Sequence, residues 1–178
     1  MLTTRLVDKI FVRSNSSAST TGTLSIGGTE IPCALGRSGI ASIKREGDGI
    51  TPSGQWPMRR ILYRADRIGQ LDCHLPANSL ARNDGWCDDP GDYAYNRQVD
   101  LPYPASAEQL WRDDPLYDIV VVLGHNDNPV IPGNGSAIFF HIARDGYLPT
   151  EGCVAICLAD MLKVLQQCGP QTIMEISE

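Results

Sequence analysis

Helical periodicity is scarce in this chain, and that scarcity constrains its fold more than any other feature. Leu158, Met161, Leu162 and Leu165 recur at the spacing of one helix face, with Gly169-Pro170 placed to end the helix. Ser106-Ala107-Glu108-Gln109 has the capping-box pattern and predicts a second, short helix through Trp111. Elsewhere the apolar residues fall in runs of strand length. Residues Leu6 to Val12, Thr23 to Ile26, Glu30 to Leu35, Trp56 to Tyr63 and Thr172 to Ile176 read as strands, and Gly27-Gly28 joins the second and third as a hairpin. Asp118 to Leu123 and Ser136 to Ile142 are runs of the kind found in fully buried strands. Seven or eight strands against two helices cannot make a doubly wound sheet, which needs a helix at each crossover. The expected fold class is mainly β, a sandwich or flattened barrel with one or two flanking helices. No linker is visible, so residues 1–178 are read as one domain.

Three stretches carry no such pattern. Ser14 to Thr21 is a Ser/Thr-rich turn. Residues 36–55 contain Gly36, Gly39, Gly47, Gly49, Gly54 and Pro52, and read as a long, tightly turned loop. Residues 83–104 are rich in Asp, Gly, Pro and Tyr. Loops of that length in compact domains are functional or disordered. Three tyrosines and Trp86 argue against disorder here.

Charge narrows the partners. Fifteen Lys and Arg against 21 Asp and Glu give a formal charge of −6. Such a chain gains nothing from phosphate attraction, so no nucleic-acid partner is expected. It also lacks the basic run that holds proteins to anionic membranes. The longest apolar stretch, Ile119 to Leu123, is too short to span a bilayer. Charges at Arg5, Asp8 and Lys9 interrupt the N-terminal stretch before an apolar leader core can form, which leaves a cytoplasmic location open. The cysteines are Cys33, Cys73, Cys87, Cys153, Cys157 and Cys168, without a C-x-x-C, and the histidines lack zinc-site spacing. No metal is expected.

The chemistry concentrates in two segments. Gly133-Asn134-Gly135-Ser136-Ala137-Ile138-Phe139-Phe140-His141 ends a strand on a histidine, and alternation puts Ala137, Phe139 and His141 on one face. Thr150-Glu151-Gly152-Cys153-Val154-Ala155 presents a cysteine after a glycine, where the backbone can turn sharply and substrate can approach. A thiol is mostly protonated at neutral pH, and a nearby imidazole can take its proton. Cys153 is then a nucleophile, His141 its base and later its acid, and the N–H groups around Gly152 and Cys153 donors to an oxyanion. A single cysteine and a single histidine are more often packed structural residues. It is the wider pattern that reverses this.

His141, a loop and then Thr-x-Gly-Cys resemble the signature of the L,D-transpeptidase catalytic domain, the YkuD-like fold. The likeness continues through Leu35-Gly36-Arg37-Ser38-Gly39, Lys44 to Gly49, Thr51-Pro52-Ser53-Gly54, Arg59, Tyr63-Arg64, Gly85 to Pro90 and Tyr95-Asn96-Arg97, covering residues 22 to 170. It is strongest to the compact branch in which the catalytic domain stands alone. The resemblance implies an enzyme acting on bacterial peptidoglycan stem peptides, both donor and acceptor, without a cofactor. Cys153 would attack the carbonyl of a diamino-acid residue, release the terminal D-amino acid and pass the acyl group to an amine of a second stem. With water or a free D-amino acid as acceptor, the same pair makes an L,D-carboxypeptidase or an exchange enzyme. A non-catalytic peptide-binding module is the reading of another class, and the intact Gly152, Cys153 and His141 speak against it. The resemblance also implies a periplasmic or cell-envelope location, a monomer, and acylation by carbapenem-type β-lactams. Two positions depart from the commoner family pattern, which has His before Gly-Cys and Arg two residues after the cysteine. Here they are Glu151 and Ala155.

Other residues are candidates for binding the stem peptide. Arg59, Arg64 and Arg67 offer guanidinium forks for carboxylates, or else a solvated strand face. Trp86 and Tyr95 suit a cleft wall or an aromatic core. His125 with Asn126, Ser136 at the start of the histidine strand, and Thr150 complete the set. His74 reads as structural, and Cys73 and Cys87 suit a disulfide in an oxidising compartment.

Overall fold

A computed structural model describes residues 6–16 and 19–178. Residues 1–5, which open the stretch read above for a leader, and 17–18, within the Ser/Thr turn, lie outside it. The chain begins with β1 (Val7–Ser14), β2 (Thr21–Ile26), β3 (Thr29–Ala34), the two-residue β4 (Ile40–Ala41) and β5 (Thr51–Pro52), and the long β6 (Gly54–Tyr63). A single helical turn, α1 (Ala65–Ile68), leads to β7 (Ala77–Ser79), β8 (Asp84–Cys87), β9 (Gln98–Asp100) and β10 (Ala107–Gln109). Then come β11 (Ile119–Leu123), β12 (Phe139–Ile142), β13 (Val154–Ile156), α2 (Leu158–Leu165) and β14 (Cys168–Ser177).

The main sheet runs β11-β12-β13-β3-β2-β1-β14-β6-β7, and β11 also pairs with β6. That last pairing closes the sheet on itself. β6 pairs with β14 through residues 54–57 and, on its other edge, with β11 through residues 58–63. One strand is thus long enough to join both ends of a flattened barrel, as the mainly β reading expected. Closure gives the barrel strands neighbours on both sides and leaves, among the described residues, only the short β7, paired with β6 alone, as an edge of this sheet.

Alternation sorts the side chains. Ile119, Val121, Leu123, Ile138, Phe140 and Ile142 point into the barrel with Ile10, Leu24, Met58 and Val154. Val120, Val122, Phe139 and Leu62 point outward, yet they are buried too. A second sheet, β10-β8-β9, covers them and contributes Trp86, while Leu80, Leu110 and Tyr117 pack alongside. This explains why Ile119–Leu123 is apolar at every position: both faces of the strand are covered.

Two local expectations need correction. Residues 106–111 are not helical. Ala107, Glu108 and Gln109 pair antiparallel with Cys87, Trp86 and Gly85, and the Ser106 carbonyl accepts from Asp88 N–H. Sheet pairing outcompetes a capping box that has too little apolar periodicity behind it. The second helix is instead α1. The other correction concerns the end of α2, which closes at Leu165, ahead of Gly169-Pro170; those residues already lie in β14, parallel to β1. The segment 83–104 is ordered, forming β8 and β9. All six cysteines are free thiols, so Cys73 and Cys87 are not bridged.

Candidate active site

β12 and β13 run parallel, with His141 beside Ala155 and Phe140 beside Val154. Cys153 immediately precedes β13 and, two residues before Ala155, shares the outward face with His141. The strand spacing and a two-residue offset put their Cα atoms roughly 8 Å apart on the diagonal, within side-chain reach. Both line a cleft of about 490 Å³ between the barrel wall and the covering sheet, together with Lys44, Glu46, Glu108 and Tyr117. The small Ala155 side chain leaves room in front of the imidazole.

The sulfur accepts a hydrogen bond from Phe139 N–H at 3.3 Å, and the thiol donates to the Ala137 carbonyl at 3.3 Å. Ala137 takes φ 52°, a left-handed conformation uncommon for alanine. Its N–H is held by Asn96 Oδ1 at 3.1 Å. Among the described residues no hydrogen bond joins the thiol to the imidazole in this resting arrangement; apo sites are often looser than reacting ones. His141 Nδ1 lies 2.9 Å from the Ile142 carbonyl. With its N–H donating there, Nε2 is left as the acceptor. Tyr117 packs edge-on against the ring, centroids 5.2 Å apart.

Burial keeps both groups neutral. It lowers the imidazole from 6.5 to about 4, and the nearby Arg112 and Arg144 push the same way, against the Ile142 carbonyl. Burial likewise pushes the Cys153 thiol up to about 12; the Phe139 N–H opposes this, and Glu108 adds to it. The resting pair is therefore thiol and imidazole, not the ion pair.

The nucleophile's loop is clamped from both sides. Thr150 Oγ1 donates to the Cys153 carbonyl at 2.7 Å and accepts from Gly152 N–H at 3.1 Å. Thr150 bridges to Gly36, and Arg37 N–H donates to the Thr150 carbonyl. Gly152 sits at φ 132°, and a Cβ there would meet the Ile50 carbonyl oxygen at 2.7 Å, so a side chain is excluded. Since Gly152 N–H is spent on Thr150, it is not free for an oxyanion.

The family model for the L,D-transpeptidase catalytic domain (YkuD) matches residues 14–176. The chain belongs to this family. Comparisons with curated proteins and with solved structures gave no match.

Of the candidates read from the sequence, the cleft brings together Cys153, His141, Ser136 and Thr150, with Gly152 beside Cys153. The rest lie outside its lining. Arg59 forks onto Asp127, and Arg64 pairs with Asp66 and stacks on Trp111, 3.6 Å from the ring centroid. Arg67 pairs with Asp118. Trp86 and Tyr95 are buried; Trp86 Nε1 donates to Asn96, and the Tyr95 hydroxyl donates to Glu46. His125 Nε2 meets the Asn134 carbonyl at 2.9 Å and burial lowers its pKa. Asn126 ties down the Ile131 and Gly135 carbonyls. Glu151, which does line the cleft, pairs with Arg37.

Sequence reasoning missed Lys44, Glu46, Asp88, Glu108, Arg112, Tyr117 and Arg144 in the lining. They come from four segments, residues 44–46, 88, 108–117 and 144, that meet only once the covering sheet folds over the barrel. The available signals were the length of the 83–104 excursion, which holds Asp88, and the family likeness over Lys44 to Gly49, which holds Lys44 and Glu46.

Proposed function

We propose that this chain is a peptidoglycan L,D-transpeptidase with Cys153 as its covalent nucleophile and His141 as its base and acid. The observation that carries this reading is the placement of both side chains on one face of adjoining parallel strands, opening on a single cleft. The neutral pair sets the order of events. As sulfur attacks the diamino-acid carbonyl and the C–S bond forms, the thiol proton passes to His141 Nε2. The Phe139 N–H, already directed at the sulfur, favours the charge that develops there. The tetrahedral centre collapses, the C–N bond breaks, and the imidazolium gives its proton to the departing D-amino acid. An amine of a second stem then attacks the thioester, C–N forms, C–S breaks, and a proton returns to sulfur through His141.

Water or a free D-amino acid as acceptor uses the same steps and gives a carboxypeptidase or an exchange enzyme. Action on stem peptides places the protein in the periplasm or cell envelope. The test is incubation with purified tetrapeptide stems and mass spectrometry of the products. The expected product is a cross-linked dimer formed with loss of one D-amino acid. Unaltered tetrapeptide would refute the reading.

A further inference from the structure

The charged groups around the cleft do not balance locally. Lys44 is turned onto Asp48 and the Arg45 carbonyl, Arg112 forks onto Asp114, and Glu151 is held by Arg37. That pairing leaves three carboxylates, Glu46, Asp88 and Glu108, without a cation partner among the described residues, against a single unpaired cation in the lining, the exposed Arg144 near His141. Glu108 receives a hydrogen bond from the Tyr117 hydroxyl at 2.6 Å, and Glu46 receives one from Tyr95. Asp88 Oδ1 is buried with no partner at all. So is the hydroxyl of Ser136, a residue only 7% exposed that lines the same cleft. Buried polar atoms are normally paired, and leaving them unpaired costs stability. This cleft keeps two open at once, Asp88 Oδ1 and Ser136 Oγ.

We infer that Glu108, Asp88 and Glu46, with Ser136, form the subsite that receives the ammonium group of the acyl acceptor. The inference rests on the transpeptidase reading above. These carboxylates are not placed to share a metal ion among the described residues. An ammonium is the cation that fits: its three donors match separate oxygens at wider spacing. The wall also stands next to the nucleophile. Tyr117, which holds Glu108, packs on His141, and the charge of Glu108 reaches the Cys153 thiol.

The step balances as follows. The acceptor arrives as R–NH3+, and one proton passes to a wall carboxylate and on to solvent. The freed nitrogen attacks the thioester carbon, C–N forms as C–S breaks, and the second proton travels through His141 to the sulfur. Burial, opposed by the Tyr117 hydroxyl, raises the Glu108 carboxyl, so it can hold the proton in passing. Water carries no charge for the wall to bind, so the wall concentrates the amine at the thioester and favours aminolysis over hydrolysis.

The test supplies a tetrapeptide donor and, as acceptor, a stem tripeptide with a free side-chain amine. It reads the ratio of cross-linked to hydrolysed product by mass spectrometry. Asp88→Asn and Glu108→Gln keep the shape, and the amide oxygen of Gln can still accept from Tyr117. Each should lower the ratio about tenfold, the size of one lost charge-assisted hydrogen bond. Glu30→Gln, at an exposed position of β3 outside the cleft, should keep the wild-type ratio. An unchanged ratio in both cleft variants, with a thioester still forming, would overturn the subsite and leave the transpeptidase reading standing. No thioester in the wild-type protein would overturn both.

Discussion

His141 is neutral because it is buried, and that has a consequence for stability. Its folded pKa lies near 4 against an ordinary 6.5, so the unfolded chain binds a proton more readily. The resulting stabilisation is complete above about pH 6.5 and is lost as pH falls from there toward about 4. Replacing His141 by Gln removes this contribution. The loss of urea stability between about pH 7 and about pH 5 should be smaller in His141→Gln than in the wild type. An equal or steeper loss would mean that the ring is not held neutral by the fold.

At the scale of elements, the covering sheet meets the barrel wall through Asn96. Its amide uses its whole hydrogen-bonding capacity. Oδ1 accepts from Trp86 Nε1 and Ala137 N–H, and Nδ2 donates to the His125 and Asn126 carbonyls. It thereby sets the Ala137 turn whose carbonyl receives the Cys153 thiol. Asn96→Leu would strand these groups and should cost about 3 kcal/mol in urea denaturation, with the near-ultraviolet signal of Trp86 altered. A change below about 0.5 kcal/mol would contradict this role. The same element shows what sequence could and could not convey. Singling out His141 and Cys153 as a pair rested on the resemblance to the family, but that His141 ends a strand and Cys153 follows a glycine at the close of a loop was legible because these are local patterns. The doubly covered run Ile119–Leu123 was legible for the same reason. Glu108 was not, because its capping-box context pointed to a helix, and only pairing with Trp86 turns its carboxylate toward the thiol. Arg59 and Arg64 looked like substrate forks, yet each already has a carboxylate, Asp127 and Asp66, supplied by the fold.

For the whole molecule, closure of the barrel by β6 and the added β10-β8-β9 sheet divide the work. The barrel interior supplies the rigid wall that carries His141 and the approach to Cys153, and the excursion between β7 and β11 supplies most of the opposite wall. The family match spans both parts, residues 14–176, so the cleft between them belongs to the catalytic domain itself. The most direct test is an intact-mass measurement on the full chain after exposure to a stem tetrapeptide, and in parallel to a carbapenem. The wild-type protein should gain one acyl group, with loss of the terminal D-amino acid in the first case, and peptide mapping should place it on Cys153. Cys153→Ala should gain none while keeping its fold, and Cys157→Ala should behave as wild type. An adduct on another cysteine, or one that persists in Cys153→Ala, would contradict Cys153 as the nucleophile.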